Sequence, residues 1–209
     1  MESLMRRYSV WITSVLGVGA VVWLLARWND APMVQKLPVL YLAVLSVHEI
    51  EELKLPGGFV ELVAGMTGVE IKNIGAAKFG LLLFTGYATL VPALLSDRVW
   101  PVMATLLIGC IELFAHLAAA RANPKRFYSP GLVTAACLQF PIAVFGYGYL
   151  FANGLVKGIY WLWAALFLLL PLFGLQALIV RSNGQSWSVF ITRASRVLLA
   201  KKKRRRPEP

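Results

Sequence analysis

The decisive stretch is Val44-Leu45-Ser46-Val47-His48-Glu49-Ile50-Glu51-Glu52-Leu53, an apolar run that gathers one imidazole and three carboxylates within five residues. At about 100° per helical residue, His48, Glu51 and Glu52 share one face, and Glu49 lies at its edge. On a soluble helix such a face would be solvated. Here the flanking apolar residues predict a membrane span, where each charge at mid-depth costs roughly 2.5–3.5 kcal/mol. Three or four uncompensated charges would approach a whole folding stability of about 5–15 kcal/mol. A cation is the simplest compensation.

Composition supports the membrane reading. Of 209 residues, 58% are hydrophobic and only 15% charged, with mean hydropathy +0.67; soluble domains are about 45–50% apolar and about 25% charged. Repeated apolar runs of span length exclude a single anchor on a soluble domain. The net charge of +11 is concentrated in Lys201-Lys202-Lys203-Arg204-Arg205-Arg206. A basic cluster after a final span marks the cytoplasmic face and anionic lipid headgroups, not nucleic acid. Cys110 and Cys137 fall in different apolar runs and read as packing residues. Arg6-Arg7 precedes the first run as in a signal peptide, but no small-residue cleavage site precedes Arg27-Trp28, so this run is read as a retained span.

The expected fold class is all-α: a polytopic bundle of about six transmembrane helices. The spans are placed at residues 8–26, about 37–53, 75–95, 100–120, 131–152 and 159–180. Pro56-Gly57-Gly58 breaks the chain after the second, and residues 59–68, too short to cross, predict a re-entrant or interfacial helix. Pro141 predicts a kink in the fifth. Residues 1–181 form the transmembrane domain. Residues 182–209 form a basic amphipathic tail whose residues 186–200 suit a helix on the membrane surface. Basic residues on alternate loops place both termini on the cytoplasmic side.

The only two histidines, His48 and His116, both fall in predicted spans, and Glu112 stands one helical turn before His116. The second and fourth spans run in the same direction, so both polar sets lie at similar depth near the cytoplasmic side. Glu61, Glu70 and Asn73 belong to the same side. Six of the ten acidic residues, Glu49, Glu51, Glu52, Glu61, Glu70 and Glu112, thus fall in one zone. Two histidines with four or more carboxylates are the ligand inventory of a dinuclear carboxylate-bridged metal site, although the usual Glu-x-x-His spacing is absent. A zinc reading instead takes His48 and Glu52 as an i, i+4 ligand pair, completed by His116 or Glu112, with Glu49 activating water.

At His48-Glu49-Ile50-Glu51-Glu52 the chain resembles the HXXEE-domain membrane proteins. Arg126-Phe127-Tyr128-Ser129-Pro130-Gly131-Leu132-Val133-Thr134-Ala135 is similar to that family's later Tyr-x-Pro-Gly block, and His116 stands where its second histidine is expected. The resemblance covers roughly residues 48–141. It implies a small polytopic membrane protein with an expected enzymatic activity and no established reaction. It makes His48, Glu51 and Glu52 the signature positions and leaves Glu49 at an unspecified one, which weighs against Glu49 activating water. Read from the residues alone, Pro130-Gly131 is a helix start and Tyr128 an interface anchor.

These readings converge on a membrane metalloenzyme open to the cytoplasmic leaflet and acting on a lipid-like or membrane-borne substrate. His48, Glu51, Glu52, Glu112 and His116 are the core ligands, and Glu61 and Glu70 supplement them. The expected cofactor is zinc or iron, as one or two ions. Metal-dependent hydrolysis leads, with di-iron oxidation beside it. A third reading is a metal-free hydrolase in which Glu51 or Glu52 activates water while His116 and Asn73 steady the oxyanion. A cation or proton transporter is the non-enzyme alternative.

Overall fold

A computed structural model describes residues 2–67, 72–95, 97–122, 127–193 and 195. Regular structure among these residues is entirely helical, with no strand: α1 (Glu2–Arg27), α2 (Met33–Leu53), α3 (Phe59–Thr67), α4 (Ile74–Leu94), α5 (Val99–Ala122), α6 (Leu132–Thr134), a π-helical turn (Ala135–Gln139), α7 (Phe140–Ala152) and α8 (Gly158–Ser182). Six segments are long and apolar enough to cross a membrane: Tyr8–Arg27, Met33–Leu53, Ala77–Leu94, Val99–Arg121, Leu132–Ala152 and Gly158–Ser182. Their number and places match the sequence expectation, and they suggest a multi-pass membrane protein. The short amphipathic segment after Pro56-Gly57-Gly58 is α3. Residues 187–193 and 195 are helical, whereas the basic run 201–206 lies outside the described residues.

The helices turn their apolar side chains outward as well as inward. Trp11, Val15 and Leu25 of α1 are 60%, 69% and 78% exposed, while Thr13, Thr85 and His116 are fully buried. Such inversion is stable where the surroundings are as apolar as the core, because no hydrophobic gain then rewards hiding leucine. The main core packs Leu37, Tyr41 and Leu45 of α2 against Val102, Met103 and Leu106 of α5, with Ala143 and Leu150 of α7 and Leu168 of α8. Close approach depends on Gly109, where a Cβ would come within 2.6 Å of the Tyr41 hydroxyl and 2.8 Å of the Gln139 carbonyl oxygen. A π-turn (Ala135–Gln139) stands just upstream of Pro141 in the fifth span. Proline supplies no N–H and excludes a regular carbonyl one turn back. The turn buries Gln139, whose Oε1 accepts a hydrogen bond from the Tyr41 hydroxyl at 3.1 Å.

Three helices converge on one carboxylate. Glu49, 3% exposed, accepts hydrogen bonds from Thr13 of α1 at 2.8 Å and Thr85 of α4 at 2.5 Å. Each oxygen takes one hydroxyl, so the group is satisfied without leaving the apolar interior, as a buried polar group requires. The clamp ties α1 and α4 to α2 beside the face that carries His48 and Glu52. Removing one partner strands the other. Thr85→Val is therefore expected to cost about 1–3 kcal/mol, read as a lowered Tm in detergent, with Thr13→Val acting in the same direction.

Candidate metal centre

The C-terminal halves of α2 and α5 meet at a pair of histidines and a pair of glutamates. His48 and Glu52 stand one turn apart on α2, as Glu112 and His116 do on α5. Each helix thus projects one imidazole and one carboxylate from a single face. The two rings pack edge to face with centroids 5.0 Å apart. Glu52 Oε1 lies 3.6 Å from His48 Nε2 and 3.3 Å from His116 Nε2; Glu112 Oε2 lies 4.0 and 3.4 Å from the same atoms. One ligand-type atom from each of the four residues falls within 4.8 Å of the other three. His48, Glu52 and His116 are buried, whereas the Glu112 side chain is 31% exposed and forms the open wall. The Phe59 ring of α3 lies 4.8 Å from the His116 ring and covers its other side.

The back of each imidazole rests on the chain that enters α6. His48 Nδ1 is 2.8 Å from Thr134 Oγ1, and His116 Nδ1 is 3.1 Å from Ser129 Oγ. Both Nε2 atoms therefore point toward the carboxylate pair. His116 Nε2 is fully buried and makes no hydrogen bond among the described residues, because the nearby carboxylate oxygens are close without being aligned. Gly131, at φ +96°, passes directly over the rings. A Cβ there would lie 2.4 Å from His116 Cε1, 2.7 Å from its Nε2 and 2.8 Å from His48 Cε1. Inward imidazole nitrogens, outward Nδ1 atoms held by hydroxyls and paired carboxylates together form a donor set that could hold a metal ion. An orphaned buried Nε2 has the same implication, so these four residues fit a cation.

Glu49, Glu51 and Glu61 are not part of this cluster. Both oxygens of Glu51 face α6 instead: it accepts hydrogen bonds from the Tyr128 hydroxyl at 2.6 Å, the Val133 N–H at 3.2 Å, and the N–H and hydroxyl of Thr134 at 2.8 and 2.5 Å. Glu49 is engaged by Thr13 and Thr85 on another face. Glu61 is exposed on α3. The Asn73 backbone N–H donates to Asn183 Oδ1 at 2.8 Å, and Glu70 lies outside the described residues.

Sequence reasoning did not foresee the roles of Tyr128, Ser129, Gly131 and Thr134. All four belong to the Tyr-x-Pro-Gly block, so the signal was present, but hydroxyl and glycine positions carry no intrinsic mark of what they will face. The Tyr128 hydroxyl donates to Glu51. Burial, and then its hydrogen bond to the Glu51 carboxylate, raise its pKa above the ordinary tyrosine value, so it remains a donor.

The glycine yields a direct test. Gly131→Ala adds roughly 1–3 kcal/mol of backbone strain and drives a methyl group into both imidazoles. Gly154→Ala, also at positive φ (64°) but in open space, carries the strain alone. Tm in detergent is expected to fall further for Gly131→Ala, and only that variant should disturb the histidine ring resonances.

The Tyr-x-Pro-Gly block and the His48/Glu52 and Glu112/His116 pairs lie within residues 39–146, which match the family model described as proteins of unknown function with HXXEE motif. No curated protein and no solved structure matches the chain. With half of its length covered by that model, from α2 through the two histidines and into α7, the chain belongs to the HXXEE family.

Proposed function

We propose that this protein is an integral membrane enzyme in which His48, Glu52 and His116 hold one divalent transition-metal ion, with the Glu112 carboxylate beside it. It hydrolyses a lipid-like or membrane-borne substrate at the cytoplasmic side. The observation that carries the reading is the convergence of two Nε2 atoms and two carboxylates beneath Gly131, with His116 Nε2 left without a hydrogen bond. Such an ion supplies Lewis acidity, acidifying water and polarising the acceptor oxygen of an ester, amide or phosphoester. Two histidines and a glutamate are a known catalytic zinc set, here His48, His116 and Glu52.

The four residues divide the work by exposure. Glu52, buried between both rings, offsets positive charge where water cannot. Glu112, the open carboxylate, is placed to accept the proton of an attacking water and return it to the leaving group. Thr134 and Ser129 hold the rings, and Phe59 excludes water from His116. The basic residues of alternate loops support a cytoplasmic position for this end of α2 and α5 and for both termini. Reach from the membrane favours a substrate that is itself membrane-borne.

A single ion fits better than a di-iron pair. Dinuclear sites draw on further bridging carboxylates, yet Glu51 has both oxygens engaged and Glu61 is exposed. A transporter reading asks for polar groups throughout the bilayer; the described histidines and most buried carboxylates instead gather near one end of α2 and α5.

Elemental analysis of gently purified protein is expected to find about one equivalent of zinc per chain, lost in the His48→Ala/His116→Ala double variant. Iron with visible colour would transfer the reading to oxidation, and no metal even after reloading would end it. Glu112→Gln is expected to lower kcat by about 10²–10⁴-fold on an ester substrate, with KM changed far less.

A further inference from the structure

Glu51 is a signature carboxylate, and the obvious role for it is that of a ligand. The geometry points to a different one: we infer that Glu51 is a positioning residue that acts on His48 through Thr134, fixing which ring nitrogen faces the metal centre. The inference rests on the metal-centre reading for its consequence, but its geometry is independent of any ion.

The directions of the hydrogen bonds follow from the inventory of donors. Thr134 has one hydroxyl proton. The shorter of its two acceptor contacts is Glu51 Oε2 at 2.5 Å, against 3.2 Å for the Gly131 carbonyl oxygen. With that proton committed, the hydroxyl can only accept from His48 Nδ1 at 2.8 Å. His48 therefore carries a proton on Nδ1, and in the neutral ring its lone pair is on Nε2, directed to Glu52, Glu112 and His116. A ring held the other way round would present an N–H to the centre and repel a cation. The carboxylate, hydroxyl and imidazole form a relay of orientation.

Glu51 has a second, mechanical task that explains why the relay is rigid. The helical run from Leu132 to Ala152 starts at Gly131, which has no side chain to cap it. Glycine is required there because a Cβ would strike both imidazoles. Glu51 supplies the missing cap from another helix, accepting the Val133 and Thr134 N–H groups. An anion at that end also suits the helix dipole. The contacts that cap the helix thus also hold Thr134 against His48.

With two histidines in the chain, selective ring-nitrogen labelling gives a readable spectrum. The metal-free protein is expected to show a downfield, slowly exchanging His48 Nδ1–H, assigned by comparison with His116→Asn. That proton should persist in Thr134→Ser and exchange rapidly in Thr134→Val. In parallel, zinc affinity is expected to fall about 10–100-fold in Thr134→Val and Glu51→Gln and to recover most of the way in Thr134→Ser. A protected proton that survives in Thr134→Val would overturn the relay. So would Glu51→Gln abolishing zinc binding as completely as His48→Ala while Thr134→Val binds normally, since Glu51 would then be a ligand. If the wild-type protein binds no metal, the metal-centre reading fails, while the proton signal still decides the relay. The Thr134 pair keeps the test open should Glu51→Gln fail to fold.

Discussion

A carboxylate placed inside an apolar bundle must find its compensation in the protein, and α2 carries three of them within four residues. Helical geometry sends them in different directions, so each recruits a different partner. Glu49 takes hydroxyls from α1 and α4. Glu51 takes the N-terminal turn of α6. Glu52 sits between the imidazoles of α2 and α5. The desolvation cost that makes intramembrane charges rare therefore becomes a means of arranging helices about α2.

The centre depends on steric economy at Gly131. Its Cα passes so near both rings that no larger residue fits, and its positive φ turns the chain from the Tyr128-Ser129-Pro130 strap into the helix. The strap and α6 then reach each partner: Tyr128 to Glu51, Ser129 to His116, and Thr134 to both His48 and Glu51. A glycine that forfeits its own cap and a glutamate that replaces the cap from another helix form one device. Either alone would leave unsatisfied backbone donors at a buried helix end.

The π-turn immediately after this strap belongs to the same arrangement. It carries Gln139 inward to the Tyr41 hydroxyl of α2, one more polar contact between α2 and the helical run that starts over the histidines. Such turns recur where a helix must serve local chemistry as well as packing.

What the sequence determined by itself is the set of helices and the chemistry they contain. Apolar runs of span length can satisfy their backbone only as helices in an apolar medium. Both histidines and six of the ten acidic residues fall in a few short stretches of an otherwise apolar chain. Shared depth and direction allowed α2 and α5 to meet, and the tertiary structure brings His48, Glu52, Glu112 and His116 together. The allocation of each glutamate was decided by tertiary structure. Glu49, Glu51 and Glu52 are chemically identical and nearly adjacent, and periodicity grouped Glu51 with His48 and Glu52. Only the positions of Thr13, Thr85, Tyr128 and Thr134, brought in from distant segments, separate a clamp, a cap and a ligand-type carboxylate. Hydrogen bonds form between groups that packing brings together, and a linear pattern specifies the faces of a helix without specifying what stands opposite each face.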